Sequence, residues 1–198
     1  MITLPLALLI AVNLLPIAGA FQFGWNLFAL LLLYWAENGI IGLYTIAKML
    51  TASKQGVLGK SRSYQVIFFF THYSTFWVLH GAILFTVLPM MGSQARGAGL
   101  LFFATLILYA VQHGVSHRDN WLRQGEFERM SSADTMVLPY VRVGGVLALT
   151  IVGGILVWRL GEPPLALAIL AAMKLAIDAA SHILVHRALA ARETSAVE

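Results

Sequence analysis

The chain lacks cysteine altogether, and it has little charge: 13 basic and nine acidic residues in 198, or 11%. The first absence excludes disulfides, thiolate metal sites and cysteine nucleophiles. The second excludes an ordinary soluble domain, which carries about 25% charged side chains. What fills the space is apolar: 59% of residues are hydrophobic and the mean hydropathy is +0.79. So few charges cannot cover so much apolar surface in water, so the composition points to an integral membrane protein. A β-barrel is excluded because the apolar runs are long and do not alternate.

Six apolar runs are separable, over 3–21, 25–49, 64–89, 98–117, 136–159 and 163–189. Six spans need roughly 120 residues, which leaves no room for a large soluble domain. The fold expected is an all-α polytopic transmembrane bundle, a single domain over 1–198. The first run has no basic region before it and no small-residue cleavage site, so it reads as a retained helix. Pro163 and Pro164 open the sixth run. Residues 118–135 are too polar to span. Within them Trp121, Leu122, Phe127 and Met130 form a loose amphipathic pattern, suited to a helix in the headgroup plane.

The basic residues set an orientation. Lys48, Lys54, Lys60, Arg62, Arg118, Arg123, Arg129, Arg187 and Arg192 fall on one side, Arg96 and Arg159 on the other. By the positive-inside rule both termini and the loops 50–63 and 118–135 are cytoplasmic. In a bacterial cell this is the inner membrane. The same topology accounts for the basic residues without nucleic acid.

Ionisable side chains inside spans mark function by default, since each must be paired or ligated. The sixth span reads Lys174-x3-Asp178-x3-His182-x3-His186, one polar stripe on one helix face. Lys174 pairs with Asp178 at this spacing, and Asp178 is placed to hold one nitrogen of His182. His182 and His186 can grip one metal ion. The fourth span carries a second such pair, His113 and His117, with Ser116 between them; the third carries His72 and His80. By depth, His72, His113, His182 and His186 share one cytoplasm-side layer, with His117 at its rim. Glu37, Lys174 and Asp178 lie deeper, and His80 deeper still. Glu37 and Lys174 are natural partners, and Asn38 with Gly39 and Gly42 suits a close helix contact. Arg142, near the start of the fifth span, either snorkels to the headgroups or binds an anionic group.

These residues resemble an uncharacterised family of bacterial and archaeal multi-pass membrane proteins, a domain of unknown function. The likeness rests on Tyr34-Trp35-Ala36-Glu37-Asn38-Gly39, Phe70-Thr71-His72-Tyr73, His80-Gly81, His113-Gly114-x-Ser116, Pro139-Tyr140-x-Arg142 and the stripe from Lys174 to His186. It covers nearly the whole chain. The family pattern often has a further histidine in the fifth span, whereas Gly144 to Thr150 has none; His117 stands where the family tends to be apolar. The resemblance implies the span count and the residue set, and no activity. A fainter similarity links the terminal His-x3-His, the aspartate and Ser116 to seven-helix zinc hydrolases such as the alkaline ceramidases and adiponectin-type receptors.

Several function classes fit. One is a membrane metalloenzyme, with Zn²⁺ held by His72, His113, His182 and His186. Asp178 or Glu37 would move the proton and Ser116 would assist, on a lipid-like substrate from the cytoplasmic leaflet. Iron or haem on the same histidines is a redox alternative. A second class is a proton or divalent-cation transporter running along Lys174, Asp178, His182 and His186. A third is a structural subunit whose polar residues serve packing. The oligomeric state stays open, a homodimer included.

Overall fold

The computed structural model describes residues 3–54, 60–90, 99–161 and 163–194, with side chains at all of these except 138, 157 and 184–194. Seven helices follow in order: α1 (Leu4–Gln22), α2 (Leu27–Thr51), α3 (Arg62–Met90), α4 (Leu100–Ser116), α5 (Glu126–Arg129), α6 (Ser132–Leu160) and α7 (Pro164–Thr194). A π-helical turn, His117–Arg123, prolongs α4. There is no strand among the described residues. Among the described residues six helices are long and apolar enough to cross a membrane, the fourth of them running through to Arg123.

Local chemistry sets the helix boundaries. Pro5 lies in the first turn of α1, where its missing N–H is not needed. Asn26 caps α2, its side chain accepting from the Ala29 N–H at 3.0 Å. Helix α2 is central: it packs on α3, α4 and α6, while α1 closes the bundle against α4 and α7. The core is divided. A large apolar cluster, including Trp25, Leu27, Leu30, Leu31, Leu84, Phe102, Leu149 and Leu170, fills one end. Towards the end that carries the α2–α3 and α4–α6 connections, only small clusters remain, one around Met49 and Phe69 and one around Ala52, Trp121 and Met130. Between the two lies a polar layer. Outward, α3 shows Ile67, Phe70, Val78 and Phe85, an apolar surface suited to lipid.

A reciprocal clasp fixes how α2 is turned. The Trp35 and Trp77 rings stack at 4.3 Å and 6°. Each indole N–H donates to the other's backbone carbonyl at 2.8 Å. Gly39 lies under Trp77 and Gly81 under Trp35, four residues on in each case, and an added Cβ would sit 3.2 and 2.9 Å from the ring. The two W-x3-G segments thus lock antiparallel helices. Next along, the Tyr73 hydroxyl donates to the Asn38 carbonyl at 2.8 Å. With this face of α2 held by α3, Glu37 is turned into the bundle.

The 117–130 segment does not lie flat as an amphipathic surface helix. Trp121 is fully buried and Met130 nearly so, while Leu122 is exposed. The Trp121 N–H donates to Thr51 Oγ1 at 2.8 Å, and the Ser53 N–H to the Phe127 carbonyl at 2.7 Å. The apolar positions therefore anchor a cap over the end of the bundle.

Candidate functional site

Four helices line the layer beneath this cap, mostly with polar side chains. On α2 the positions are Glu37, Ile41, Tyr44, Thr45 and Lys48; on α4 and its continuation, His113, Ser116 and Asn120. On α6 they are Thr135, Pro139 and Arg142, and on α7 Lys174, Asp178, Ser181 and His182. Each set recurs every three or four residues, the spacing of one helix face.

The deep part of the layer is a buried ion cluster. Glu37, Lys174 and Asp178 are each less than 5% exposed. Lys174 Nζ lies 2.5 Å from Glu37 Oε2 and 2.6 Å from Asp178 Oδ2. Its third donor goes to Asn13 Oδ1 at 2.6 Å, and the same oxygen accepts from the Tyr109 hydroxyl at 3.2 Å. The ammonium also sits over the Tyr109 and Tyr34 rings, 4.6 and 5.2 Å from their centroids. Arg142 Nε stands 3.7 Å from Asp178 Oδ1. Two carboxylates thus face two cations, Arg142 being half-buried, the balance that makes burial of the other three tolerable.

Glu37 links this cluster to open space. Its other oxygen, Oε1, is 3.2 Å from His113 Nε2. An Nε2–H donated to the carboxylate fixes the tautomer and leaves Nδ1 as the basic nitrogen. His113 lines a cavity of about 260 Å³, together with Tyr44, Thr45, Lys48, Ser116, Asn120, Glu126, Thr135, Arg142, Ser181 and His182. Ser116 Oγ accepts from Asn120 Nδ2 at 3.4 Å. Pro139 lines the same cavity inside α6. It has no N–H for the Thr135 carbonyl one turn earlier, so that acceptor is left without its helical donor. The cavity therefore offers a general base with a carboxylate behind it, a hydroxyl, cations and, at the proline, a backbone carbonyl that no helical N–H claims.

The four histidines expected to share a layer do not share this cavity. His182 and His113 line it. His72 does not: it is exposed on α3, with its ring stacked on Phe68 and edge-on to Phe76, and its Nδ1 bonded to the Tyr140 hydroxyl at 2.8 Å. The side chain of His186 lies outside the described residues. His117, packed 5.8 Å from the Tyr44 ring, has a buried Nδ1 without a hydrogen-bond partner. His80 is a cross-link: its Nε2 meets Thr150 Oγ1 at 2.8 Å. The Thr150 hydroxyl proton goes to the Val146 carbonyl at 2.9 Å, so the histidine donates. Among the described residues no three or more histidine, aspartate or glutamate side chains form a group that could hold a metal ion. Asn38 contributes its backbone carbonyl to Tyr73, as above. Asn13, Tyr109, Thr45, Lys48 and Ser181 belong to the site yet stand out in the sequence only as a bend, a core aromatic, a flank or small polar residues. Their helical register with Glu37, His113 and Asp178 is the signal that marks most of them.

A bundle of membrane-length helices around one capped polar cavity, with a buried ion cluster beneath it, defines the class: a polytopic membrane protein with an intramembrane polar site. The chain belongs to a family of unknown function, DUF6498, whose model matches residues 1–195. No curated protein and no solved structure matches it.

Proposed function

We propose that this protein is an enzyme of the bacterial inner membrane that hydrolyses an ester or amide bond near the head of a lipid-like substrate, taken from the cytoplasmic leaflet. The observation that carries the reading is the contact of His113 with Glu37 at the wall of the cavity. His113 takes a proton at Nδ1. Glu37 receives the Nε2–H and stabilises the imidazolium that forms, the part a carboxylate plays behind any general base. Ser116, one helical turn on and lining the same cavity, is the chain's own nucleophile. Arg142, steadied by Asp178, faces the cavity from α6 and is placed to bind the oxygen on which negative charge develops. Lys174 bridges the two carboxylates and holds them in place.

Two features favour a one-sided site over a transport path. The bonded polar chain runs from His113 through Glu37 and Lys174 to Asn13 and Tyr109. There it meets the large apolar cluster, of which Tyr34 and Tyr109 are members. The basic asymmetry favours a cytoplasmic position for the capped end. Because the chain has no cysteine, single cysteines at Lys54 and Arg159 will report this: an impermeant maleimide should reach only the second in intact cells.

The test is turnover of a panel of acyl ester and amide amphiphiles by reconstituted protein. At least one should be hydrolysed. Glu37→Gln and His113→Ala should lower the rate roughly 10²–10⁴-fold, as loss of a general base does. Ser116→Ala should abolish labelling by a fluorophosphonate. Turnover that survives in all three variants overturns the assignment.

A second reading has one observation in its favour: His113, with a carboxylate behind it, and His182 line one cavity from two helices. A carboxylate behind a histidine is also the arrangement that orients a metal ligand. Zn²⁺ between them would supply the hydroxide nucleophile in place of Ser116. Elemental analysis of protein purified without chelator decides: stoichiometric zinc, or iron, that falls with His182→Ala supports it, and metal-free active protein rules it out.

A further inference from the structure

We infer that the cavity is entered sideways from the bilayer, through the seam between α6 and α7. It thus admits the head of a single-chain amphiphile while the chain stays in lipid. This rests on the cavity having a lipid-like ligand, as proposed above, and adds the route and the shape of what it takes.

The walls decide the route. The aqueous end is covered: Asn120 and Glu126, from the cap, line the cavity and are only 3% exposed. The deep end is closed by the ion cluster. Among the described lining residues Val141 alone is exposed, at 61%. Its position on the seam follows from its neighbours. Gly145 of α6 packs on Ile177 of α7 so closely that an added Cβ would stand 3.3 Å from the isoleucine. At that level the seam is shut. One turn towards the cap, antiparallel helices bring Val141 (four before Gly145) opposite Ser181 (four after Ile177), on the same two faces. Both residues line the cavity. The seam therefore parts at this turn, with an apolar lip on α6 and a hydroxyl on α7.

Beyond the lip the surface is apolar and low. Val137 and Ile151 on α6 are exposed, and beside Gly144 an added Cβ would meet nothing within 4 Å. A volume of about 260 Å³ is below the ~300–1,000 Å³ usual for pockets that enclose a whole ligand. It holds a small head, of which Arg142 takes an acceptor oxygen and the Thr135 carbonyl, which Pro139 cannot serve, a donor.

Photolabelling tests this in nanodiscs of phosphatidylglycerol and phosphatidylethanolamine. The probe is a single-chain phospholipid with a diazirine in mid-chain. Adducts should concentrate on 137–148 of α6 and 177–183 of α7 and be sparse on the equally exposed face of α3 around Ile67 and Phe70. Val141→Trp should remove most of the α6–α7 adduct, while Val137→Trp, one turn away on the exposed surface, should keep it. Equal labelling of α3, or no loss in Val141→Trp, overturns the portal. The two proposals fail separately. Hydrolysis that is indifferent to Val141→Trp removes the portal and leaves the enzyme. Seam labelling lost in Val141→Trp, with no hydrolysis of any panel member, removes the enzyme and leaves a lipid-binding site.

Discussion

The two ends of this bundle are built from the same six helices on opposite terms. At the far end Trp25, Leu27, Leu30, Phe102, Leu149 and Leu170 interlock, the Trp25 indole N–H being the one polar group among them. At the capped end four of these helices, α2, α4, α6 and α7, turn towards each other Lys48, His113, Ser116, Arg142 and His182, and leave a cavity. In a bilayer, lipid tails are as apolar as leucine, so the far end holds chiefly by close fit, with the His80–Thr150 hydrogen bond and the Asn26 cap as its polar ties. The capped end holds by ion pairs and hydrogen bonds, and these need geometry rather than volume. The difference separates duties: one end fixes the helices so that the other can keep polar groups apart and available. Each variant below breaks or sharpens that contrast.

The largest effect should come where the two ends meet. Lys174→Met leaves Glu37 and Asp178 facing each other with no ammonium between them. Breaking one partner out of a buried ion cluster costs about 3–5 kcal/mol. A large fall in the detergent melting temperature should follow. Glu37→Gln, which keeps the Lys174–Asp178 pair, should melt higher than Lys174→Met yet lose turnover. Equal stability of Lys174→Met and wild type would dissolve the cluster as described.

Leu30→Ala probes the far end. Leu30 is fully buried, and truncation of such a leucine costs about 2–5 kcal/mol because the space is not refilled. The variant should melt early and, below its transition, turn over at the wild-type rate. A rate loss at full folding would show that the apolar end shapes the cavity directly.

Gly81→Ala tests the clasp between the two regions. A Cβ would lie 2.9 Å from the Trp35 indole nitrogen, so the stacked pair must shift, at roughly 1–3 kcal/mol for forced overpacking. Because Trp35 precedes Glu37 by two residues, turnover should fall along with stability. Trp35→Phe should then be less harmful on the Gly81→Ala background than on the wild type, a non-additivity expected only of residues in contact.

The sequence carried the helices and the deep cluster for one physical reason: both are expensive features. Long apolar runs have no other home than lipid, and Glu37, Lys174 and Asp178 cannot be buried apart. The spacing of Lys174, Asp178 and His182 also sets their common face without reference to any neighbour. What was not legible is rotation. Counting residues along a helix gives depth, and depth put His72 level with His113. It gives no azimuth, and α3 is aromatic on every side, through Tyr64, Phe68, Phe69, Phe70 and Phe85, so no apolar stripe marks its inner face. Asn13 was hidden for another reason: its partners Tyr109 and Lys174 are 96 and 161 residues away, and beside Pro16 it reads as part of a bend. The cap was misread because Trp121 and Met130 show the same pattern whether they face a headgroup layer or the end of a bundle.

His72 gives the smallest and most discriminating prediction, since depth alone cannot tell it from His113. Its ring is exposed between Phe68 and Phe76, and one nitrogen accepts or donates a single bond with the Tyr140 hydroxyl. Loss of one such bond is worth about 0.5–1.5 kcal/mol. His72→Ala should therefore shift the melting temperature slightly and leave turnover and any bound metal as in wild type. His113→Ala removes a group of the same chemistry at the same depth, yet it strips Glu37 Oε1 of its partner and the cavity of its base. A pair of variants equal in depth and opposite in effect would establish that azimuth, set by the Trp35–Trp77 clasp and the packing of α2 on α4, decides which histidine does the chemistry. If His72→Ala instead abolished turnover in a folded protein, the reacting group would lie at the lipid face of α3, and the cavity beneath the cap would be only packing.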